Sequence, residues 1–337
     1  MRRRCPAGLI VLRAASVGLG WWSDELAAAV QGRSEAIRVV TCYSRSADKR
    51  DAFAAKFGTG QHESYEAVLD DPDVDAVILT TPHSLHAAQV IQAARAGKHV
   101  FVEKPFTLTA ESGREAAAAC EQAGVTLAVG HNRRFCAVAR ALKAMLDAGA
   151  FGTLLHVEAN FSVPVALELT PDRWRANRTE SPGGAIPSLG VHMIDLLCFL
   201  AGPVTRLSAK VVRRAVDLDM DDTTSAIMDF ESGATGYLGT LFACPETAFL
   251  NIYGTKANAR ASPETSVVEI QAADGEPEVC ELTPVDTLKT ELEDFAAACA
   301  GGPAFRVRPE EAIHTVAVME AMVASAAQGS ASVDLRA

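Results

Sequence analysis

Three short stretches of the sequence carry residue types that could do chemistry. Val17-Gly18-Leu19-Gly20-Trp21-Trp22-Ser23 sets two glycines one residue apart behind an apolar run. Such a Gly-x-Gly turn lets the chain reverse tightly, lets backbone approach a pyrophosphate, and hands that group to the N-terminus of the next helix. The third position of the fingerprint, usually Gly or Ala, is Ser23, which is still small enough for close packing. Cys42-Tyr43-Ser44-Arg45-Ser46 ends the second apolar run, with Lys49 and Arg50 a turn later. An Asp or Glu there would hold a ribose 2′-hydroxyl; none is present, and Ser44, Arg45 and Lys49 could receive a 2′-phosphate instead. This charge pattern leans to NADP as cofactor, with NAD the alternative if Arg45 is only a solvated surface charge. In Gly97-Lys98-His99-Val100-Phe101-Val102-Glu103-Lys104-Pro105, the lysine at the end of an apolar run is followed by a proline that fixes it. Such a lysine would lie beside a bound nicotinamide.

The elements that must position these groups follow from periodicity. Leu12–Val17, Arg38–Tyr43, Ala76–Thr80, His99–Val102 and Thr126–Val129 read as strands. Asp24–Val30, Ala47–Phe57, Ser84–Ala96 and Ala110–Ala123 read as the helices between them. Alternation of this kind predicts βαβ units, a parallel sheet covered on both faces, and a ligand at the carboxyl ends of its strands. After Phe151 the pattern changes. His156–Val163 alternates polar and apolar, and Thr223–Phe230 and Ala234–Phe242 flank a Glu231-Ser232-Gly233 turn. Phe249–Tyr253, Ser266–Gln271 and Glu278–Leu282 add strands, and Thr287–Cys299 and Pro309–Ala327 close the chain as helices. The expected fold is α/β: a doubly wound Rossmann sheet over residues 9–131, then an α+β domain with a large, mostly antiparallel open sheet over 132–330.

Composition narrows the partners. The chain has 337 residues, 49% of them hydrophobic, and a net charge of −11; bulk electrostatics would not draw it to nucleic acid or an anionic membrane. No run of about 18 apolar residues offers a membrane span. The apolar run behind Met1-Arg2-Arg3-Arg4 is broken by Arg13, and cleavage near Ala14–Ala15 would remove half of the first strand, so residues 1–8 read as a disordered extension rather than a signal peptide. Eight cysteines are scattered with no Cys-x-x-Cys pair, as in a reduced, cytoplasmic protein.

The chain resembles the Gfo/Idh/MocA family over nearly its whole length. The resemblance rests on Gly18-Leu19-Gly20, Thr81-Pro82-His83-Ser84-Leu85-His86, Gly97 to Pro105, Asn132-Arg133-Arg134-Phe135, and Gly183-Gly184 leading to Gly190-Val191-His192-Met193-Ile194-Asp195. It implies hydride transfer between nicotinamide and a carbon bearing a secondary alcohol or carbonyl, commonly on a sugar or polyol. It also implies Lys104 on the reacting oxygen, His192 as acid/base, Asp195 on substrate hydroxyls, and a cis Lys104–Pro105 bond. A histidine near pKa 6.5 and a lysine cation suit that proton traffic. Cofactor contacts are expected from Gly18, Leu19, Gly20, Trp21, Trp22, Ser44, Arg45, Lys49, Thr81, Pro82, His83, His86, Glu103 and Lys104. Substrate contacts are expected from Lys104, Trp174, Arg175, Ser188, His192 and Asp195; no metal is expected. Ser188 stands where the family usually has an aspartate, so no charge tunes the proton-transfer groups from that position. A homodimer or homotetramer through the outer face of the second sheet is also implied.

Several residues carry two readings. His83 and His86 have the spacing of metal ligands but no evident third, which favours capping and cofactor-side packing. Trp21 and Trp22 either anchor the first helix or wall the cleft. Arg175 either binds a polar or acidic substrate group or makes a surface salt bridge. Asn160 and Ser162 lie on the polar face of a strand that could front the cleft, and Asp221-Asp222 reads as a solvated turn. Two other functions compete within the resemblance: an NAD-dependent glycosidase working by transient oxidation, and a non-catalytic cofactor-sensing regulator.

Overall fold

A computed structural model of the chain describes residues 11–336, and the expected extension at 1–8 lies outside them. The chain divides into two compact units. One comprises the residues up to Asn132 together with Asp286–Ile313; the other comprises Arg133–Val285 and the segment from His314 onward.

In the first unit, β1 (Leu12–Val17), β2 (Ile37–Tyr43), β3 (Gly60–Gln61), β4 (Ala76–Leu79), β5 (His99–Glu103) and β6 (Leu127–Gly130) form a six-stranded parallel sheet in the order β3-β2-β1-β4-β5-β6. The helices α1 (Trp21–Val30), α2 (Ala47–Phe57), α3 (Tyr65–Asp70), α4 (His86–Arg95) and α5 (Ala110–Ala123) connect them. Every residue of β4, Ala-Val-Ile-Leu, is buried, as a central strand covered on both faces requires. Strand order reverses between β1 and β4, and such a switch point opens a crevice at the carboxyl edge. Helix α1 starts at Trp21, ahead of the expected Asp24, because Ser23 closes the cap. Its hydroxyl donates to the Gly20 carbonyl at 2.6 Å and accepts the Gly20 N–H at 2.9 Å. β3 and α3 were not expected; two and six residues are too few to display a period.

The helix Thr287–Cys299, expected with the second domain, belongs to the first unit instead. Its buried stripe, Leu292, Phe295 and Ala296, lies against α1 and β2, and the Phe295 and Phe101 ring centroids are 5.7 Å apart. Arg33 pairs with Asp286 at 2.9 Å and Ser34 donates to Glu293 at 2.8 Å, ties across more than 250 residues that no local pattern announces.

The second unit contains α6 (Ala137–Asp147), β7 (Leu154–Ser162), α7 (Val191–Ala201), β8 (Val204–Val212), β9 (Thr223–Phe230), β10 (Thr235–Leu241), β11 (Thr247–Gly254), β12 (Ala257–Ala261), β13 (Val267–Ala272) and β14 (Glu278–Glu281). The Thr287–Cys299 helix is α8; α9 (Pro309–Ala327) and β15 (Val333–Asp334) follow it. The nine-stranded sheet has the order β14-β13-β12-β11-β7-β10-β9-β8-β15, and only its β7–β10 pair is parallel. One face carries Ala159, Leu207, Met228, Leu238, Leu250 and Val268 into the core with α7. The other presents the in-register row Ser208, Ile227, Tyr237, Glu158, Asn251, Arg260, Glu269 and Val279. Helix α7 had no amphipathic signature because nearly all of its residues are buried. Among the described residues, no helix is long and apolar enough to cross a membrane, and none of the seven described cysteines is in a disulfide.

Candidate active site

The loop after β1 is clamped against the end of β4. Gly18 has φ +89°, and a Cβ there would come within 2.8 Å of the Thr80 and Thr81 backbone. Only glycine allows that approach. The Thr80 hydroxyl donates to Val17 O at 3.1 Å and reaches Gly18 O as well, a contact that the motif itself does not reveal. Gly20 is different: a Cβ there would meet nothing within 4 Å, so the turn is open on the side of the α1 N-terminus. A clamped first glycine and an open second one ahead of a helix N-terminus fit a dinucleotide pyrophosphate. Leu19 is buried beneath this turn. The two tryptophans divide, with Trp21 66% exposed and Trp22 half-buried, their rings edge to face at 4.9 Å.

At the end of β2, Ser44 is half-buried while Arg45 and Lys49 are exposed, and neither cation pairs with a described carboxylate. Arg50 folds back to donate to Ser44 O at 2.8 Å, which shapes the loop, and the Ser46 hydroxyl accepts the Lys49 N–H to start α2. These positions leave two cations at a strand's carboxyl end with no acid among Ser44–Ser46.

The β4 and β5 ends are tied together. His86 is fully buried, with Nδ1 2.9 Å from Pro105 O and Nε2 3.0 Å from Thr81 O. The Thr81 hydroxyl donates to Gln89 at 2.5 Å, Pro82 precedes the short turn His83–Leu85, and His83 is buried. Lys104 is half-buried and the Lys104–Pro105 bond is cis. Glu103 is buried; burial pushes its carboxyl up to about 7, against the pull of the Lys104 charge, the Trp22 indole and the Lys104 N–H at 3.2 Å. Among the described residues no group of His, Cys, Asp and Glu is arranged to hold a metal ion.

In the second unit, a turn of π-helix at Ile186–Gly190 runs into α7, and such wide turns often occur at functional sites. It carries Ser188, half-buried, four residues before His192, which is 4% exposed with its ring 6.2 Å from Phe161. Asp195, one turn further, is engaged: Arg134 donates to its two oxygens at 2.7 and 2.9 Å, and both side chains are buried. That partner lies 61 residues away, and sequence reasoning did not connect the two. Trp174 and Arg175 are half-buried, with the guanidinium 4.1 Å above the indole; burial lowers the Arg175 pKa, and no described carboxylate forms the surface salt bridge.

Other polar candidates are occupied by the fold. The Ser162 hydroxyl donates to Asn160 at 2.7 Å and accepts the Leu241 N–H at 3.0 Å, so both residues are buried between strands rather than on a wet face. Asp222 is not in a solvated turn. It is fully buried and accepts the N–H groups of Arg214, Ala215 and Val216 at 2.7–3.0 Å. Burial would raise this carboxyl, but those donors hold it below the usual range. Asp221 pairs with Arg178 at 2.5 Å. Gly184, with φ +71°, lies where a Cβ would be 2.0 Å from Asp221 O, so this glycine serves close packing.

A Rossmann sheet with an open glycine turn and a lysine at the end of β5 defines a dinucleotide-dependent oxidoreductase. Residues 12–131 match the oxidoreductase family with NAD-binding Rossmann fold and residues 139–260 match the GFO/IDH/MocA C-terminal domain. The chain belongs to the Gfo/Idh/MocA family. It is 30% identical to 1,5-anhydro-D-fructose reductase of Ensifer adhaerens over 87% of this chain and 90% of that one. It is also 30% identical to D-xylose 1-dehydrogenase (NADP(+)) 2 of Haloferax volcanii over 92% of each. A solved oxidoreductase structure from Desulfitobacterium hafniense superposes with a TM-score of 0.90 at 31% identity, covering 96% of this chain and 97% of the other.

Proposed function

We propose that this protein is an NADP(H)-dependent dehydrogenase or reductase that interconverts a secondary alcohol and a carbonyl on a sugar, polyol or related hydroxylated ring. The observation that carries this reading is the carboxyl edge of the first sheet, where the open turn at Gly20 follows β1 and half-buried Lys104 follows β5. When bound, the nicotinamide supplies or accepts the hydride. The Lys104 ammonium donates a hydrogen bond to the reacting oxygen and stabilises its developing charge. His192 takes or returns the proton. Trp174, Arg175 and Ser188 hold the substrate, and Asp195 acts through its pair with Arg134. The relatives that reduce anhydrofructose or oxidise xylose support a sugar substrate.

The lean to the phosphorylated cofactor rests on Ser44, Arg45 and Lys49, with no acid to repel a 2′-phosphate. The open face, on which Ile227, Tyr237 and Val279 stand among polar residues, supports pairing of copies through the second sheet; light scattering should give a dimer or tetramer mass. The test of activity is a panel of sugars and polyols followed at the nicotinamide absorbance with NADPH and NADP. Turnover on a sugar supports the proposal; binding of the cofactor with no turnover on any panel member counts against it.

A further inference from the structure

A second carboxyl lies in the dry interior beside Glu103, on a helix contributed from far along the chain. Glu291 of α8 has no exposed surface, and neither of its oxygens has a hydrogen-bond partner among the described residues. Glu103 Oε1 is likewise shielded and unpartnered, and its carboxyl sits so close under Gly130 that a Cβ there would be 2.8 Å from Oε1. Phe101, whose ring is 5.7 Å from Phe295 and 6.4 Å from Phe305, belongs to the same apolar interior.

The environments of the two carboxyls are unequal. Glu103 has the Lys104 charge beside it and accepts the Lys104 N–H at 3.2 Å, and both favour its ionised form. Glu291 has only Glu103 acting on it, and burial followed by that like charge drives its affinity for a proton well above the ordinary carboxyl range. The other charged groups of the packed elements are engaged or at the surface. On α8, Lys289 pairs with Glu293 and Asp294 with Arg306; on α1, Asp24 pairs with Lys56 and Glu25 is exposed; on β2, Arg38 is exposed. Two ionised carboxylates cannot share a dry site, so one must hold a proton, and the unequal partners decide which.

We infer that Glu291 is a carboxylic acid at neutral pH, holding the one proton of a buried pair with Glu103, and that it is a positioning residue which supports the Glu103 charge beside Lys104. The second half of this inference rests on the assignment of Lys104 as a proton-transfer group. Glutamine copies the shape and donor capacity of the protonated acid, whereas leucine copies only its bulk.

Infrared difference spectroscopy on the whole protein without added cofactor reads the first half directly. At neutral pH the wild type should show the C=O stretch of a protonated carboxyl, and Glu291→Gln should lose the part that Glu291 contributes. Its absence in the wild type, or its undiminished persistence in Glu291→Gln, overturns the inference. The pH profile of kcat/KM reads the second half. Glu291→Gln should keep the wild-type acid limb, while Glu291→Leu should move it upward by about one unit, because leucine leaves the Glu103 charge an apolar neighbour on α8 in place of a polar one. Parallel profiles for the two variants overturn the positioning role. Should Lys104→Ala remain active, the assignment of Lys104 fails, yet the infrared band stays, so the two failures are distinguishable.

Discussion

The two units treat their polar residues differently. At the carboxyl edge of the first sheet, several groups singled out from the sequence face outward: Gly20 lies against open space, and Arg45 and Lys49 are exposed with no carboxylate partner among the described residues. In the second unit, most polar candidates are engaged by partners within the fold, near or distant in sequence. Asp195 is held by Arg134, Asn160 by Ser162, and Asp222 by the N–H groups of residues 214–216. A parallel sheet satisfies its own backbone and leaves side chains free at its edge, whereas the second unit uses buried side-chain pairs to fix helices and loops on its sheet. Buried polarity alone therefore does not mark a functional residue; what partners the group decides.

Mutations can break this contrast. The largest effect is expected from Lys104→Ala, which should lower kcat by roughly 10²–10⁴-fold while NADPH still binds, as read by steady-state rates and a fluorescence titration. Unchanged turnover would remove the lysine from the mechanism. Next, Arg134→Ala should destabilise the second unit by about 3–5 kcal/mol, since it leaves Asp195 charged and buried. Arg134→Met combined with Asp195→Leu should recover most of that loss in urea unfolding. If the double variant is as unstable as the single one, the pair does more than neutralise charge.

Asp222→Asn should cost about 1.5–3 kcal/mol through the lost charge-assisted hydrogen bonds. Its pH dependence has a definite sign. The carboxyl is held below the usual range in the folded state, so its contribution is present above the unfolded value and is lost as pH falls through the lowered one. The variant should therefore unfold with a shallower acid-side slope than the wild type; identical slopes would contradict the assignment. The smallest effect is expected from Ser44→Asp, which should weaken NADPH by about tenfold, or ~1.4 kcal/mol, and NADH much less. Equal loss for both cofactors would mean that the end of β2 does not contact the 2′-phosphate.

Much of the first unit was legible in the sequence because its signals are local. The Gly-x-Gly turn, the Ser44-Arg45 end of β2 and the Lys104-Pro105 step each lie within a few residues of the strand that positions them. The expected β1, α2 and α5 coincide with the observed elements. The family resemblance supplied the roles proposed for Lys104 and His192, which spacing alone does not give. What was not legible is long-range. The packing of α8 on β2 and the Arg134–Asp195 pair join positions with no common pattern. Strand β8 and helix α6 were missed although their alternation and amphipathic spacing were present, and α7 was missed because a helix buried all round has no period to read.

Direct transfer of hydrogen is the measurement closest to the central claim. The protein would be incubated with a carbonyl sugar and NADPH carrying deuterium at the transferring C4 position, and the product analysed by mass spectrometry and NMR. The account predicts one deuterium on the carbon that bore the carbonyl, with stoichiometric oxidation of the cofactor, and loss of both signals in Lys104→Ala. Glycoside cleavage with no net cofactor oxidation, or tight NADPH binding with no labelled product from any sugar, would contradict it.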